Sequence, residues 1–107
     1  MNQANSKTED QIINHLSIYM GDPQLNVWHL ALLAAILSLG YRQGESQRIK
    51  VSRRKLMLLS HINTLPTYHK YLKQLQELGY IKYKPSYHPG YRSEVELYKT
   101  KLSQNLK

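Results

Sequence analysis

The chain has 107 residues of which 41% are hydrophobic, enough for one domain with a modest core that folds without a staple. It contains no cysteine, which excludes a disulfide framework, a thiol nucleophile and a thiolate metal site and makes a reducing cytoplasm the expected location. Its net charge of +8 is polarised, with two bases against four acids in residues 1–47 and thirteen bases against three acids in residues 48–107. Such a field draws in polyanions, nucleic acid first and an anionic membrane surface second.

Residues 1–8 are polar, with nothing to bury, and are expected to be disordered. The opening MNQANSKTED lacks the basic start and apolar core of a signal peptide, so the product is expected to stay inside the cell. Thr8 is positioned to cap an accessory helix over residues 9–21, in which Ile12, Ile13, Leu16, Tyr19 and Met20 share one face. Gly21-Asp22-Pro23-Gln24 is a turn, because proline biases the residue before it away from helix. Asn26 then caps a helix over 26–40, with Gly40 as its stop. Its apolar residues run nearly all the way round, which predicts a central buried helix or one that also faces a second subunit. The longest apolar run, Leu30 to Leu37, is far short of the roughly 20 residues that span a bilayer, so no membrane helix is expected. Gln43 to Gln47 is a polar loop, and Arg48 to Val51 alternates as a short strand does.

Ser52 caps a helix over 52–62 that turns Leu56, Leu59 and Ile62 inward. Arg53, Arg54 and Lys55 crowd its first turn, where each cation opposes the helix dipole by a few tenths to about 1 kcal/mol, a cost that a bound anion would offset. Asn63-Thr64 breaks the pattern. Thr64 is an N-cap and Pro66 falls in the first turn of a second helix over 64–78, ended by Gly79. So short a joint makes the two helices cross steeply, as in a helix-turn-helix. At 100° per residue, Leu65, Tyr68, Tyr71, Leu72, Leu75 and Leu78 face inward. Pro66, Lys70, Lys73 and Glu77 form the opposite stripe, flanked by His69, Thr67 and Gln74, with Glu77 placed to support Lys73. Residues 80–98 read as a two-stranded hairpin turned at Pro89-Gly90, with Ile81, Tyr83, Val95 and Leu97 inward. Lys82, Lys84 and Arg92 point outward beside the tip aromatics Tyr87 and Tyr91, and residues 99–107 are a tail.

The stretch from Val27 to Leu97 resembles the winged helix-turn-helix domain of bacterial, phage and mobile-element regulators, in which a leucine-spaced recognition helix ends in a Leu-Gly-aromatic-Ile step; here that step is Leu78-Gly79-Tyr80-Ile81. The resemblance implies a mainly α fold with a small β-hairpin wing (α+β), a three-helix core and an additional N-terminal helix. Residues 64–73 match the recognition helix, Ser52 to Lys55 the helix start that touches the DNA backbone, and Lys84 to Arg92 the wing. The front of the chain, Thr8 to Met20, has no fixed counterpart in that family, and no sensor domain is visible.

The candidate base-reading residues are Pro66, Thr67, His69, Lys70, Lys73 and Gln74. Lysine donates to guanine O6 and N7, glutamine pairs with adenine, and a threonine methyl touches a thymine methyl. Ser52, Arg53, Arg54, Lys55 and Thr64 are candidates for the backbone, and Lys84, Tyr87, His88, Tyr91 and Arg92 for the wing. Neither the five histidines nor the seven acids show metal-ligand or catalytic spacing, so no metal, cofactor, small-molecule ligand or enzymatic activity is expected. The leading expectation is a sequence-preferring double-stranded DNA-binding protein, a transcriptional regulator acting as a homodimer. A replication, excision or architectural role at a mobile element is the alternative within DNA binding, and a protein-interaction module the alternative outside it.

Overall fold

The computed structural model describes residues 3–88, 90 and 92–98, and for residues 3–8 the backbone alone. The fold is α+β, with four helices and a three-stranded antiparallel sheet in the order α1 (Gln3–Met20), α2 (Val27–Gln43), β1 (Arg48–Val51), α3 (Arg53–Ser60), α4 (Leu65–Glu77), β2 (Ile81–Lys84) and β3 (Ser93–Leu97).

Helix α2 is the axis on which the rest is built. It packs against α1, α3, α4 and β1, and Leu32, Leu33, Ala35, Ile36, Leu37 and Leu39 are all buried. That environment accounts for a helix with almost no polar face. Asn26 caps it, its side chain accepting from the Trp28 and His29 N–H groups at 2.9 and 3.2 Å. Gly40 does not end it. The helix continues to Gln43, and Gly44 takes the left-handed C-cap with φ 67°. Gly40 is instead a contact glycine: a Cβ there would lie 2.6 Å from the Glu45 carbonyl oxygen and 2.8 Å from Ile49 Cδ1.

Helix α1 starts at Gln3, so Thr8, expected to cap it, lies inside it, and the helix takes in positions expected to be disordered. Tyr19 is the deepest of its described side chains, its ring meeting Tyr80 edge-on at 5.3 Å. Ile13 and Met20 stay exposed. Helix α3 is capped by Ser52, whose Oγ accepts from Lys55 N–H at 3.1 Å, and ends on His61 in a left-handed conformation with φ 62°. Helix α4 ends at Glu77, and Gly79, with φ 87°, makes the turn into β2.

The hairpin expected over 80–98 is part of a larger sheet in the order β1-β3-β2. Its central strand β3 pairs with β1 in the register Ile49↔Val95 and with β2 in the register Tyr83↔Val95. Strict alternation sends Ile49, Val51, Ile81, Val95 and Leu97 into the core. The outer face keeps Glu94 and Glu96 between Arg48 and Lys50 on one side and Lys82 and Lys84 on the other. Among the described residues no helix is long and apolar enough to cross a membrane, and no group of three or more His, Asp or Glu side chains is gathered to hold a metal ion.

Candidate nucleic-acid interface

Helix α4 divides into two faces. Tyr68, Leu72 and Leu75 are buried and Tyr71 and Leu78 are half-buried, while Pro66, His69, Lys70, Lys73 and Glu77 are exposed. Leu65 departs from its expected place, being 44% exposed at the first turn. Lys70 and Lys73 are ion-paired with no described residue; Lys70 Nζ lies 5.2 Å from the Tyr71 ring centroid. The same holds for Glu77, which forms no ion pair with Lys73.

Two of the residues expected to flank this stripe are held by other groups. Gln74 turns inward, its Oε1 lying 2.7 Å from Nε2 of His29, a side chain only 3% exposed. Because His29 Nδ1 accepts from the Asn26 backbone N–H at 3.0 Å, the ring hydrogen must sit on Nε2, and Gln74 is its acceptor. Gln74 therefore joins α4 to the start of α2, with its Oε1 committed to His29. Thr67 is half-buried, its Oγ1 accepting from the Thr64 hydroxyl at 2.8 Å. Thr64 does occupy the N-cap of α4, with φ −119° and ψ 145°, but its side chain makes no cap hydrogen bond. The first-turn N–H groups thus have no side-chain cap, and they carry the positive end of the helix dipole.

The cations of the first turn of α3, Arg53, Arg54 and Lys55, are exposed, and Ser52 is half-buried because its hydroxyl serves as the cap. At the hairpin, Tyr87 is 88% exposed and His88 and Arg92 are exposed, whereas Tyr91 and Pro89 lie outside the described residues, as does the tail from 99. Lys84 lies outward, as expected, but its charge is engaged. Its Nζ pairs with Glu96 Oε2 at 3.0 Å, and this contact holds the Glu96 carboxyl below the usual range, with Lys82 and Arg48 acting in the same sense. The hairpin loop is pinned at its base by Ser93 Oγ, which accepts from Ser86 N–H at 3.2 Å and from the Tyr83 hydroxyl at 3.3 Å.

Behind this surface three buried phenols stiffen the frame. Tyr68 is 2% exposed and its hydroxyl has no hydrogen-bond partner among the described residues. Burial and the neighbouring Tyr83 push its pKa up to about 12, against a smaller opposite effect of Arg53. Tyr80 donates to Asp22 Oδ2, which ties the α1–α2 turn to the joint between α4 and β2. Its phenol is raised by burial and by that carboxylate, and Tyr19 by burial.

Sequence reasoning overlooked His29, Asp22 and Gln43. The spacing of Asn26 and His29, N-cap and third helical residue, was a usable signal for the capping box, but nothing local pointed to Gln74. No family model, curated protein or solved structure matches the chain.

Proposed function

We propose that the chain is a winged helix-turn-helix protein that binds double-stranded DNA with a sequence preference, without catalysing a reaction, and serves as a transcriptional regulator in the cytoplasm. The observation that carries this reading is the free face of α4, where Lys70 and Lys73 are exposed and ion-paired with no described residue while the opposite face is committed to the core. Helix α4 enters the major groove with Lys70, Lys73 and His69 toward base edges and Pro66 at the groove wall. Its uncapped first turn and Arg53, Arg54 and Lys55 of α3 meet phosphates. The β2–β3 hairpin is the wing, with Tyr87, His88 and Arg92 against the flanking backbone and Lys84 stabilising the sheet through Glu96.

One short helix reads too few base pairs for specificity in a genome, so two copies bind symmetric half-sites one helical turn apart. Selection of bound fragments from random duplex DNA, followed by titration of the selected site, tests the whole reading. A palindrome is expected, and Lys70→Ala and Lys73→Ala should each cost about 1–3 kcal/mol of discrimination at one base position. With about six phosphates contacted per subunit, log K should fall against log salt with a slope near −5 for each subunit bound, about −11 for the pair. A flat salt response, or unchanged base preference in both variants, would reject it.

A further inference from the structure

Strand β1 is an edge strand, and its alternation places Ile49 and Val51 in the core and Arg48 and Lys50 on the outer face. Edge strands ordinarily offer free backbone groups to another strand. Here the last residue of α2 takes that place at the middle of the edge: Lys50 N–H donates to Gln43 Oε1 at 2.9 Å, and Gln43 Nε2 donates to the Lys50 carbonyl at 2.8 Å. The amide closes the edge at that point and fixes the backbone of Lys50, so what this side of the sheet presents is its side chains.

Those side chains line an open cleft of about 520 Å³, bounded by Gln43, Glu45, Arg48, Lys50, Lys55 and Arg92. Four cations converge from β1, from the first turn of α3 and from the residue before β3, against one lining carboxylate. Glu45 is partly occupied, its Oε2 accepting from Ser46 N–H at 3.2 Å. Across the sheet, Arg48 stands opposite Glu96, which is already paired with Lys84, and Lys50 opposite Glu94. None of the four cations forms an ion pair with a described residue. A small-molecule site buries most of its ligand, and a cleft this open suits one side of an extended polyanion.

We infer that this cleft seats phosphates of the duplex backbone beyond the segment met by α4, so that bound DNA continues along β1. The inference rests on the DNA-binding reading and extends it: Lys55 and Arg92 link the cleft to the surface already described, and Arg48 and Lys50 are its added contacts.

The test uses the full chain, the double variant Arg48→Gln, Lys50→Gln, the single variant Lys50→Gln, and two duplexes built on the selected site, one trimmed to the core and one with long flanks. Circular dichroism and thermal melting verify that both variants fold; the substituted side chains are exposed. On the long duplex the double variant should lose about two units of salt slope per bound subunit, near 0.9 per phosphate contact, with base preference unchanged. The single variant should lose about one unit per bound subunit. On the trimmed duplex both should match the wild type, and hydroxyl-radical protection of flanking sugars should vanish only in the variants. Equal slopes for wild type and variants on the long duplex overturn the cleft while leaving the α4 reading standing, as does an equal loss on both duplexes. A wild-type chain that binds no duplex overturns both.

Discussion

Lys73 and Gln74 are neighbours on one helix, and their fates are opposite. Helical phase alone predicted the outward direction of Lys70 and Lys73, because a residue's bearing around a helix depends only on its position in the sequence. Gln74 has a borderline bearing, and a buried partner decided it: the His29 ring needs an acceptor for its Nε2 hydrogen, and Gln74 supplies one. Gln74→Ala should therefore behave as a stability variant. It strands a buried donor, at a cost of about 1–3 kcal/mol seen as a lower urea midpoint, while base preference stays as in the wild type. Lys73→Ala should show the reverse pattern, with normal stability and altered preference. A Gln74→Ala protein of unchanged stability and altered preference would return Gln74 to the reading face.

The elements show which local signals decide a boundary. Ser52 and Asn26 both cap as their residue types lead one to expect, since each needs only an oxygen one turn from free N–H groups. Gly40 carried the signal of a helix stop and is not one. Its lack of a side chain serves the close approach of the Glu45 backbone and of Ile49, and the helix ends one turn later where Gly44 adopts a left-handed conformation. Alanine is the better helix former by about 1 kcal/mol, so an open helix position would gain from Gly40→Ala. Here the added methyl meets a backbone oxygen that cannot step aside, and overpacking should win. A net loss of about 1–3 kcal/mol is expected in chemical denaturation, with the slope of the transition unchanged. Because α2 also carries the Gln43 amide to β1, the variant should loosen the outer edge of the sheet, visible as faster amide exchange at Lys50.

For the molecule as a whole, stability should depend on pH at the alkaline end through its buried phenols. The folded state holds the Tyr19, Tyr68 and Tyr80 protons more tightly than the ordinary value of 10.0, up to about 12 for Tyr68, with burial as the leading cause in each. A group whose pKa is raised on folding contributes stability that is complete below its unfolded pKa and is lost as pH rises through the folded one. The melting temperature should thus hold to about pH 10 and fall steeply above it. Phenolate absorbance should show these three tyrosines ionising only with unfolding. Early ionisation of Tyr19, Tyr68 and Tyr80 without loss of structure would contradict the packing.

The helices, the Asn26 and Ser52 caps, the strand Arg48–Val51 and the concentration of positive charge after residue 47 could all be read from the chain alone, because each follows from periods of 3.6 or 2 residues, from local residue type or from composition. Three-dimensional packing decided that β1 joins β3 to complete a three-stranded sheet, that Gln74 serves His29, that Asp22 serves Tyr80, and that Gln43 closes the edge beside a basic cleft. The physical reason is range. His29 and Gln74 are 45 positions apart and Asp22 and Tyr80 are 58 apart, and such partners are chosen by the meeting of surfaces that only the assembled core brings together.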